Sequence, residues 1–261
     1  MRENRLRRLW RDGKKTVNGW LGIPSSFSAE LMAHQGYESI TVDMQHGVVD
    51  YATMVEMLQA ISTTDTVPMV RVPWREPGIV MKTLDAGAYG IICPMVSSRE
   101  EAEELVVWGR YPPRGTRSFG PIRASLYAGS DYGRHANAEV LLLAMIETRG
   151  GVENLDDILS VEGLDGVYIG PADLSLALGY GAGFDREEPE ILEVITRIAE
   201  RARAHGKFAG IHTMSPAYAR RMWDLGFHFV SLMTDARILA NATAALLAEL
   251  RGGAAEAEKG Y

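Results

Sequence analysis

The stretch Asp165-Gly166-Val167-Tyr168-Ile169-Gly170-Pro171-Ala172-Asp173-Leu174 changes character in its middle. Residues 166–169 form a short, apolar, partly β-branched run, as a strand covered on both faces does. Gly170 and Pro171 break that run. Asp173, just before Leu174 and Ser175, is of the residue type that caps a following helix. A strand that hands over to a helix through a tight turn is the unit of an α/β fold.

The unit recurs in both directions from this stretch. Short apolar runs stand at residues 17–23, 39–44, 67–72, 90–95, 140–146, 166–169, 208–212 and 229–233. Helical stretches lie between them. Residues 28–35 open with Ser28 and carry Glu30, and residues 50–62 open with Asp50. Residues 99–110 place Glu100, Glu101 and Glu103 in the first turns, where carboxylates oppose the helix dipole. Residues 190–205 are amphipathic and stop at Gly206, and residues 215–225 begin with Ser215-Pro216. Strands that alternate with helices imply right-handed parallel crossovers, and eight of them predict a closed (β/α)8 TIM barrel rather than an open sheet. The expected domain is a single barrel over residues 1–251, followed by a disordered tail at 252–261. Residues 111–139 break the rhythm. They are rich in Gly, Pro and Arg, and a loop of that length is expected to be functional or lid-like.

Net charge is −7, and no basic stripe offers a path for nucleic acid. The one basic cluster, between positions 2 and 15, reads as a short amphipathic helix whose Leu6, Leu9 and Trp10 cover one end of the core. Cys93 is the only cysteine, which excludes an internal disulfide and a multi-cysteine zinc site. It is expected to be buried and inert. No run of about 20 apolar residues is present, so no membrane span is expected. With no leader pattern at the start either, the expected location is the cytoplasm.

In such a barrel, chemistry gathers where the strands end. Those ends carry Asp43-Met44-Gln45-His46, Arg71, Glu147-Thr148-Arg149, Gly170-Pro171-Ala172-Asp173, His212-Thr213 and Thr234-Asp235. Glu147 and Asp173 come from neighbouring strands and admit three readings. They form a hard oxygen site for a divalent cation, an acid/base pair as in glycosidases, or caps on the helices that follow. Lysine placement is more selective. Lys14, Lys15, Lys82, Lys207 and Lys259 all lie away from the strand ends, so a Schiff base has no lysine to form on. Carbanion chemistry here would need a metal. His46 is the histidine in a loop at the active face, where a general base belongs. Arg71 ends an apolar run and needs an anion, either Asp43 on the adjacent strand or a substrate oxygen. Glycine-rich phosphate sites are missing after strands 7 and 8, which argues against a phosphorylated substrate.

Taken together, these residues resemble the HpcH/HpaI family of class II pyruvate aldolases across about residues 5 to 250. The resemblance is carried in order by Gly19-Trp20-Leu21-Gly22, Val42-Asp43-Met44-Gln45-His46, Val70-Arg71-Val72-Pro73-Trp74, Leu84-Asp85-Ala86-Gly87-Ala88 and Pro94-Met95-Val96. It continues through Tyr111-Pro112-Pro113-Arg114-Gly115, Ile146-Glu147-Thr148-Arg149 and the opening stretch. The resemblance implies a barrel whose eighth helix is exchanged between subunits of a hexamer, a trimer of dimers. It implies that Glu147 and Asp173 ligate a divalent ion, Mg²⁺ or Mn²⁺, with Co²⁺ or Zn²⁺ as substitutes. Arg71 would contact the pyruvate oxygen, and His46 would be the base. Asp85 would reach His46 from an adjacent subunit, and Asp43 would support the arginine or the base. The Gly170, Pro171 and Ala172 backbone would bind the substrate carboxylate, and Trp20 would wall the pocket.

The implied reaction joins pyruvate or hydroxypyruvate to an aldehyde, or cleaves the resulting 4-hydroxy-2-oxo acid. The chain departs from the family pattern at Gln45 (often Glu), at Met145 (often Gln) and at His212 (usually apolar). The pattern is closer to a hydroxy-ketoacid aldolase branch than to the branch acting on heptanedioate. His212 and the arginines Arg114, Arg117 and Arg123 either bind polar groups of the acceptor or serve an interface. The competing readings are a related lyase or decarboxylase acting on oxaloacetate or an acyl-CoA ester, and a metal-dependent hydrolase or non-catalytic metal-binding barrel.

Overall fold

The computed structural model describes residues 1–252, so the expected tail lies, beyond Gly252, outside the described residues. Eight strands run in parallel: β1 (Thr16–Leu21), β2 (Ser39–Asp43), β3 (Val67–Arg71), β4 (Gly90–Cys93), β5 (Leu141–Ile146), β6 (Gly166–Ile169), β7 (Phe208–Thr213) and β8 (Phe229–Leu232). They close on one another in chain order, β8 pairing with β1. The expected barrel is borne out, with strand ends moved by one or two residues.

The helices are α1 (Arg5–Arg11), α2 (Ser26–Ala33), α3 (Tyr51–Ile61), α4 (Pro77–Asp85), α5 (Arg99–Gly109), α6 (Ile122–Ala128), α7 (Tyr132–Glu139), α8 (Arg149–Glu153), α9 (Leu155–Leu159), α10 (Pro171–Ala177), α11 (Pro189–Ala204), α12 (Pro216–Asp224) and α13 (Asp235–Leu250). Several begin on side-chain caps. Asp50 accepts from the Thr53 N–H, Ser98 from Glu101 and Ser215 from Tyr218. Each such cap is worth about 1 kcal/mol.

Pairing register decides which side chains meet inside. Asn18 pairs with Ser39 and Ser231, Asp43 with Arg71, Met145 with Tyr168, and His212 with Ser231. Because strand side chains alternate, each of these sets shares one face. Gly210 lies opposite Tyr168, and a methyl there would sit 2.8 Å from the tyrosine Cδ2. Glycine at 210 is what lets the Tyr168 ring lie inside the barrel.

The start of the chain closes the other end. Leu6 and Trp10 are buried, with Trp10 packed against Phe208 and Phe229 at the beginnings of β7 and β8. Arg7 is buried as well and pairs with Asp165, which also receives Arg110. The basic cluster is therefore a helix covering the core, as expected.

Residues 111–139 require a correction. They are not a lid but contain α6 and α7, packed at the end of the barrel away from the strand C-termini. The Arg2 N–H donates to the Ala128 carbonyl at 2.6 Å, Asn4 donates to the Glu139 carbonyl, and Arg123 donates to the Ala86 carbonyl just after α4. Their Gly, Pro and Arg content marks turns and tethers between two short helices.

Among the described residues, no helix is long and apolar enough to cross a membrane. Cys93 is fully buried, and burial pushes its thiol up to about 12, so it is inert as expected.

Candidate active site

A cavity of about 290 Å³ opens where the strands end. Of the residues singled out from the sequence, Trp20, Asp43, His46, Arg71, Glu147, Gly170, Pro171, Ala172, Asp173, His212 and Thr234 line it, whereas Asp85 and the strand-end residues Met44, Gln45, Thr148, Arg149, Thr213 and Asp235 do not. Alternation along the strands accounts for the convergence, since Trp20, Asp43, Arg71, Tyr168 and His212 all fall on inward positions.

Asp43 and Arg71 form a bidentate pair. Nε donates to Oδ1 at 2.8 Å and Nη2 donates to Oδ2 at 2.6 Å. Both groups are nearly sealed from solvent. Burial would raise the Asp43 carboxyl, but the hydrogen bonds and charge of Arg71 hold it below the ordinary carboxylate range. Trp20 adds an indole N–H to Oδ2 at 3.2 Å, and its ring lies 4.9 Å from the guanidinium carbon. The arginine thus meets its anion within the protein, while Nη1 makes no hydrogen bond among the described residues.

Glu147 follows β5 directly and is almost fully buried. Its Oε1 accepts one hydrogen bond, from the Met95 N–H at 2.7 Å. Met95 holds a left-handed φ of 58° at the end of β4 to present that donor. Burial, reinforced by the nearby charge of Asp173, raises the Glu147 carboxyl to about 7. Glu147 caps no helix, because the cap of α8 is Thr148. Asp173 lies in the first turn of α10, whose N-cap, Gly170, makes no side-chain hydrogen bond. The capping reading therefore fails for both carboxylates. Gly170 leaves room for the pair, since a methyl there would collide with Glu147 Oε2.

Asp43 Oδ1 also accepts from the backbone N–H groups of Gln45 and His46, at 3.0 and 3.3 Å. This fixes the loop that places His46, exposed, at the cavity rim. The Gln45 amide oxygen is buried without a donor.

The cavity also includes Phe184, Met214 and Arg237, which the sequence did not point to. Phe184 comes from an irregular segment between α10 and α11 and faces the His212 ring at 5.5 Å. Arg237 stands in the first turn of α13, a position with no periodic signal.

Asp85, expected to reach His46 only from an adjacent subunit, does not line the cavity of its own chain. It ends α4, away from the cavity, and takes a 2.6 Å hydrogen bond from Arg117. Arg117 is buried and also donates to the Tyr132 hydroxyl at 3.0 Å. Arg123 is spent on the Ala86 carbonyl and Ser62. None of Arg114, Arg117 and Arg123 lines the cavity, so they contact no acceptor there.

Among the described residues no lysine lines the cavity. Lys207 holds the carbonyls of Val161 and Leu164, and Lys82 lies over the Tyr51 ring. Lys259 falls outside the described residues.

The profile of the HpcH/HpaI aldolase/citrate lyase family matches residues 19–242. The chain belongs to this family. A hydroxypyruvate/pyruvate aldolase from Rhizorhabdus wittichii is 44% identical over 95% of this chain and 99% of its own length. A 4-hydroxy-2-oxo-heptane-1,7-dioate aldolase from Escherichia coli is 37% identical over 99% of both. The solved structure of an HpcH/HpaI aldolase/citrate lyase family protein from Burkholderia cenocepacia J2315 superposes with a TM-score of 0.89 at 31% identity, covering 95% of this chain and 99% of that one. The family expected from the sequence motifs is thus borne out.

Of the carboxylates lining the cavity, Asp43 is held by Arg71, which leaves Glu147 and Asp173 as oxygen donors that could hold a divalent cation. Among the described residues no group of three His, Cys, Asp or Glu side chains gathers in metal-binding reach. A cation held by these two carboxylates would therefore complete its shell with water and substrate oxygens.

Proposed function

We propose that this chain is a class II aldolase that forms and cleaves 4-hydroxy-2-oxo acids, with pyruvate or hydroxypyruvate as nucleophile and an aldehyde as acceptor. One observation carries this reading: Glu147, Asp173 and Arg71 converge on one cavity that no lysine lines among the described residues.

Glu147 and Asp173 fit a divalent cation. Glu147 is buried with a single hydrogen-bond donor beside a second carboxylate, an arrangement that a positive charge would relieve. Mg²⁺ or Mn²⁺ suits this oxygen set, and Co²⁺ or Zn²⁺ are the expected substitutes. When bound, the ion supplies Lewis acidity at the carboxylate and keto oxygens of the 2-oxo acid.

The chain's own residues supply the rest. The Gly170, Pro171 and Ala172 backbone at the start of α10 holds the substrate carboxylate. Arg71, aimed by Asp43, places its Nη1 against the keto oxygen, where negative charge grows as the C3 proton leaves. His46 takes that proton and delivers it to the alkoxide formed at C4, and the reverse sequence cleaves the C3–C4 bond. Trp20 closes one wall and keeps water from the enolate.

Residues 1–251 act as one domain. Leu239, Leu246, Leu247 and Leu250 of α13 are exposed on a single chain, and only Asp235 of that helix is buried. This supports exchange of α13 between copies in a hexamer of paired chains, with Asp85 of a neighbouring copy supporting His46. The expected setting is the cytoplasm.

The acyl-CoA alternative needs a basic groove, and the loop that would supply it uses Arg117 and Arg123 internally. The deciding experiment measures retro-aldol cleavage after chelation. Activity should vanish and return with Mg²⁺ or Mn²⁺, and borohydride with pyruvate should leave the protein unlabelled. A covalent adduct would overturn the reading.

A further inference from the structure

His212 lines the cavity beside the rings of Trp20 and Phe184 and the Tyr168 hydroxyl, within reach of the charge of Arg237. Its ring is fixed on three sides. The Trp20 ring meets it edge-on at 5.0 Å and 88°, Phe184 lies tilted at 5.5 Å, and the Tyr168 hydroxyl is 3.5 Å from Nδ1.

A chain of hydrogen bonds inside the barrel sets the direction of that last contact. Ser39 and Thr41 donate their hydroxyls to Asn18 Oδ1, which orients the amide. The Asn18 Nδ2 group then donates to Ser231 Oγ at 2.9 Å, and the Tyr168 hydroxyl donates to the same oxygen at 2.7 Å. With its proton committed to Ser231, Tyr168 offers only lone pairs to His212. The Nδ1 that faces it is therefore the protonated nitrogen. A neutral imidazole protonated at Nδ1 has a bare lone pair at Nε2, and among the described residues the ring's one hydrogen-bond contact is at Nδ1. Burial and the charge of Arg71 lower the His212 pKa to about 3, so the ring stays neutral at ordinary pH.

We propose that His212 selects hydroxylated acceptors: its Nε2 accepts a hydrogen bond from the hydroxyl group next to the aldehyde carbon. This inference rests on the aldolase reading above, in which the keto acid occupies the side of Glu147, Asp173 and Arg71. The acceptor then lies toward β7 and β8. An apolar side chain at 212 would treat an alkyl and a hydroxyalkyl aldehyde nearly alike, because a hydrophobic wall discriminates weakly against an added hydroxyl. A fixed acceptor atom does not.

The test compares glycolaldehyde with propanal, which has the same number of heavy atoms, as acceptors for pyruvate. It measures kcat/KM for wild type, His212→Phe and His212→Gln. Phenylalanine fills the same aromatic slot, and glutamine restores an accepting oxygen. One neutral hydrogen bond corresponds to a preference of about threefold to tenfold. His212→Phe should lose that much of the glycolaldehyde-to-propanal ratio, and His212→Gln should stay nearer wild type. An unchanged ratio in His212→Phe overturns the proposal. So does a loss that appears instead in the preference for hydroxypyruvate over pyruvate as donor.

Exchange of the pyruvate C3 protons by the wild-type protein in D2O, without aldehyde, separates the two levels of failure. If the wild type exchanges these protons and the ratio does not move, only the role of His212 falls. If the wild type does not exchange them, the aldolase reading falls with it.

Discussion

Asp43 and Arg71 are direct partners across β2 and β3, and their side chains close a two-bond ring, Nε to Oδ1 at 2.8 Å and Nη2 to Oδ2 at 2.6 Å. The ring decides what the guanidinium can do. Two of its nitrogens are held, its plane is fixed beside Trp20, and Nη1 is left for the cavity. Asp43→Asn keeps the shape but removes the charge that aims the arginine. Charge-assisted bonds of this kind are worth about 1.5–3 kcal/mol, so kcat/KM for aldol cleavage should fall by roughly tenfold to a hundredfold. Steady-state kinetics on the purified variant checks this. Wild-type turnover in Asp43→Asn would mean that the pair is structural only.

Gly170 touches the proposed metal pair from the side of β6. A methyl at 170 would collide with Glu147 Oε2 and lie 2.9 Å from the Met145 terminal carbon. Gly170→Ala should therefore push the carboxylate aside while leaving the barrel folded. Disturbing the groups that position a ligand typically weakens metal affinity about tenfold to a hundredfold. Calorimetric titration with Mn²⁺ measures this directly, and unchanged affinity would remove Glu147 from the ligand set.

Burial of His212 carries a pH signature in stability. Burial and the charge of Arg71 depress its pKa from the ordinary value of 6.5 to about 3. Below pH 6.5 the unfolded chain takes up a proton there that the folded chain does not. The contribution is thus absent above 6.5 and destabilises progressively as pH falls toward 3, by about 1.4 kcal/mol per pH unit. Between pH 7.5 and 5.0 the wild type should lose about 2 kcal/mol more than His212→Phe, a difference read from urea unfolding at matched protein concentration. Equal losses would mean that the imidazole titrates normally in the folded state.

Much of this was legible in the sequence, because strands buried on both faces are written as apolar runs and break at Gly and Pro. The run ending at Ile169-Gly170-Pro171 gave strand, turn and helix at once, and period-two alternation put Asp43, Arg71 and His212 on one wall. Other features left no local trace. Phe184 reaches the cavity from an irregular segment, and Arg237 enters it only because α13 starts at the barrel mouth. The segment at 111–139 hid two short helices behind turn-rich composition. Asp85 lies far from the cavity of its own chain, so any role beside His46 depends on a second copy.

That second copy can be tested on α13. Leu246 and Leu250 lie on the same helix face, one turn apart, and are 67% and 83% exposed on a single chain. A charge at either position would oppose burial against another chain. Leu246→Lys with Leu250→Lys should break the proposed hexamer into smaller species in sedimentation velocity, with aldolase activity falling alongside. A wild-type protein that sediments as a monomer would remove the exchanged helix from consideration.

The most direct test of the central claim follows the methyl protons of pyruvate by NMR in D2O, with no aldehyde present. If Glu147 and Asp173 hold an activating divalent ion and Arg71 faces the keto oxygen, deuterium should enter C3 when Mg²⁺ or Mn²⁺ is added, stop on chelation, and be abolished by Arg71→Ala. Exchange that continues at full rate in the chelated protein, or in Arg71→Ala, would contradict it.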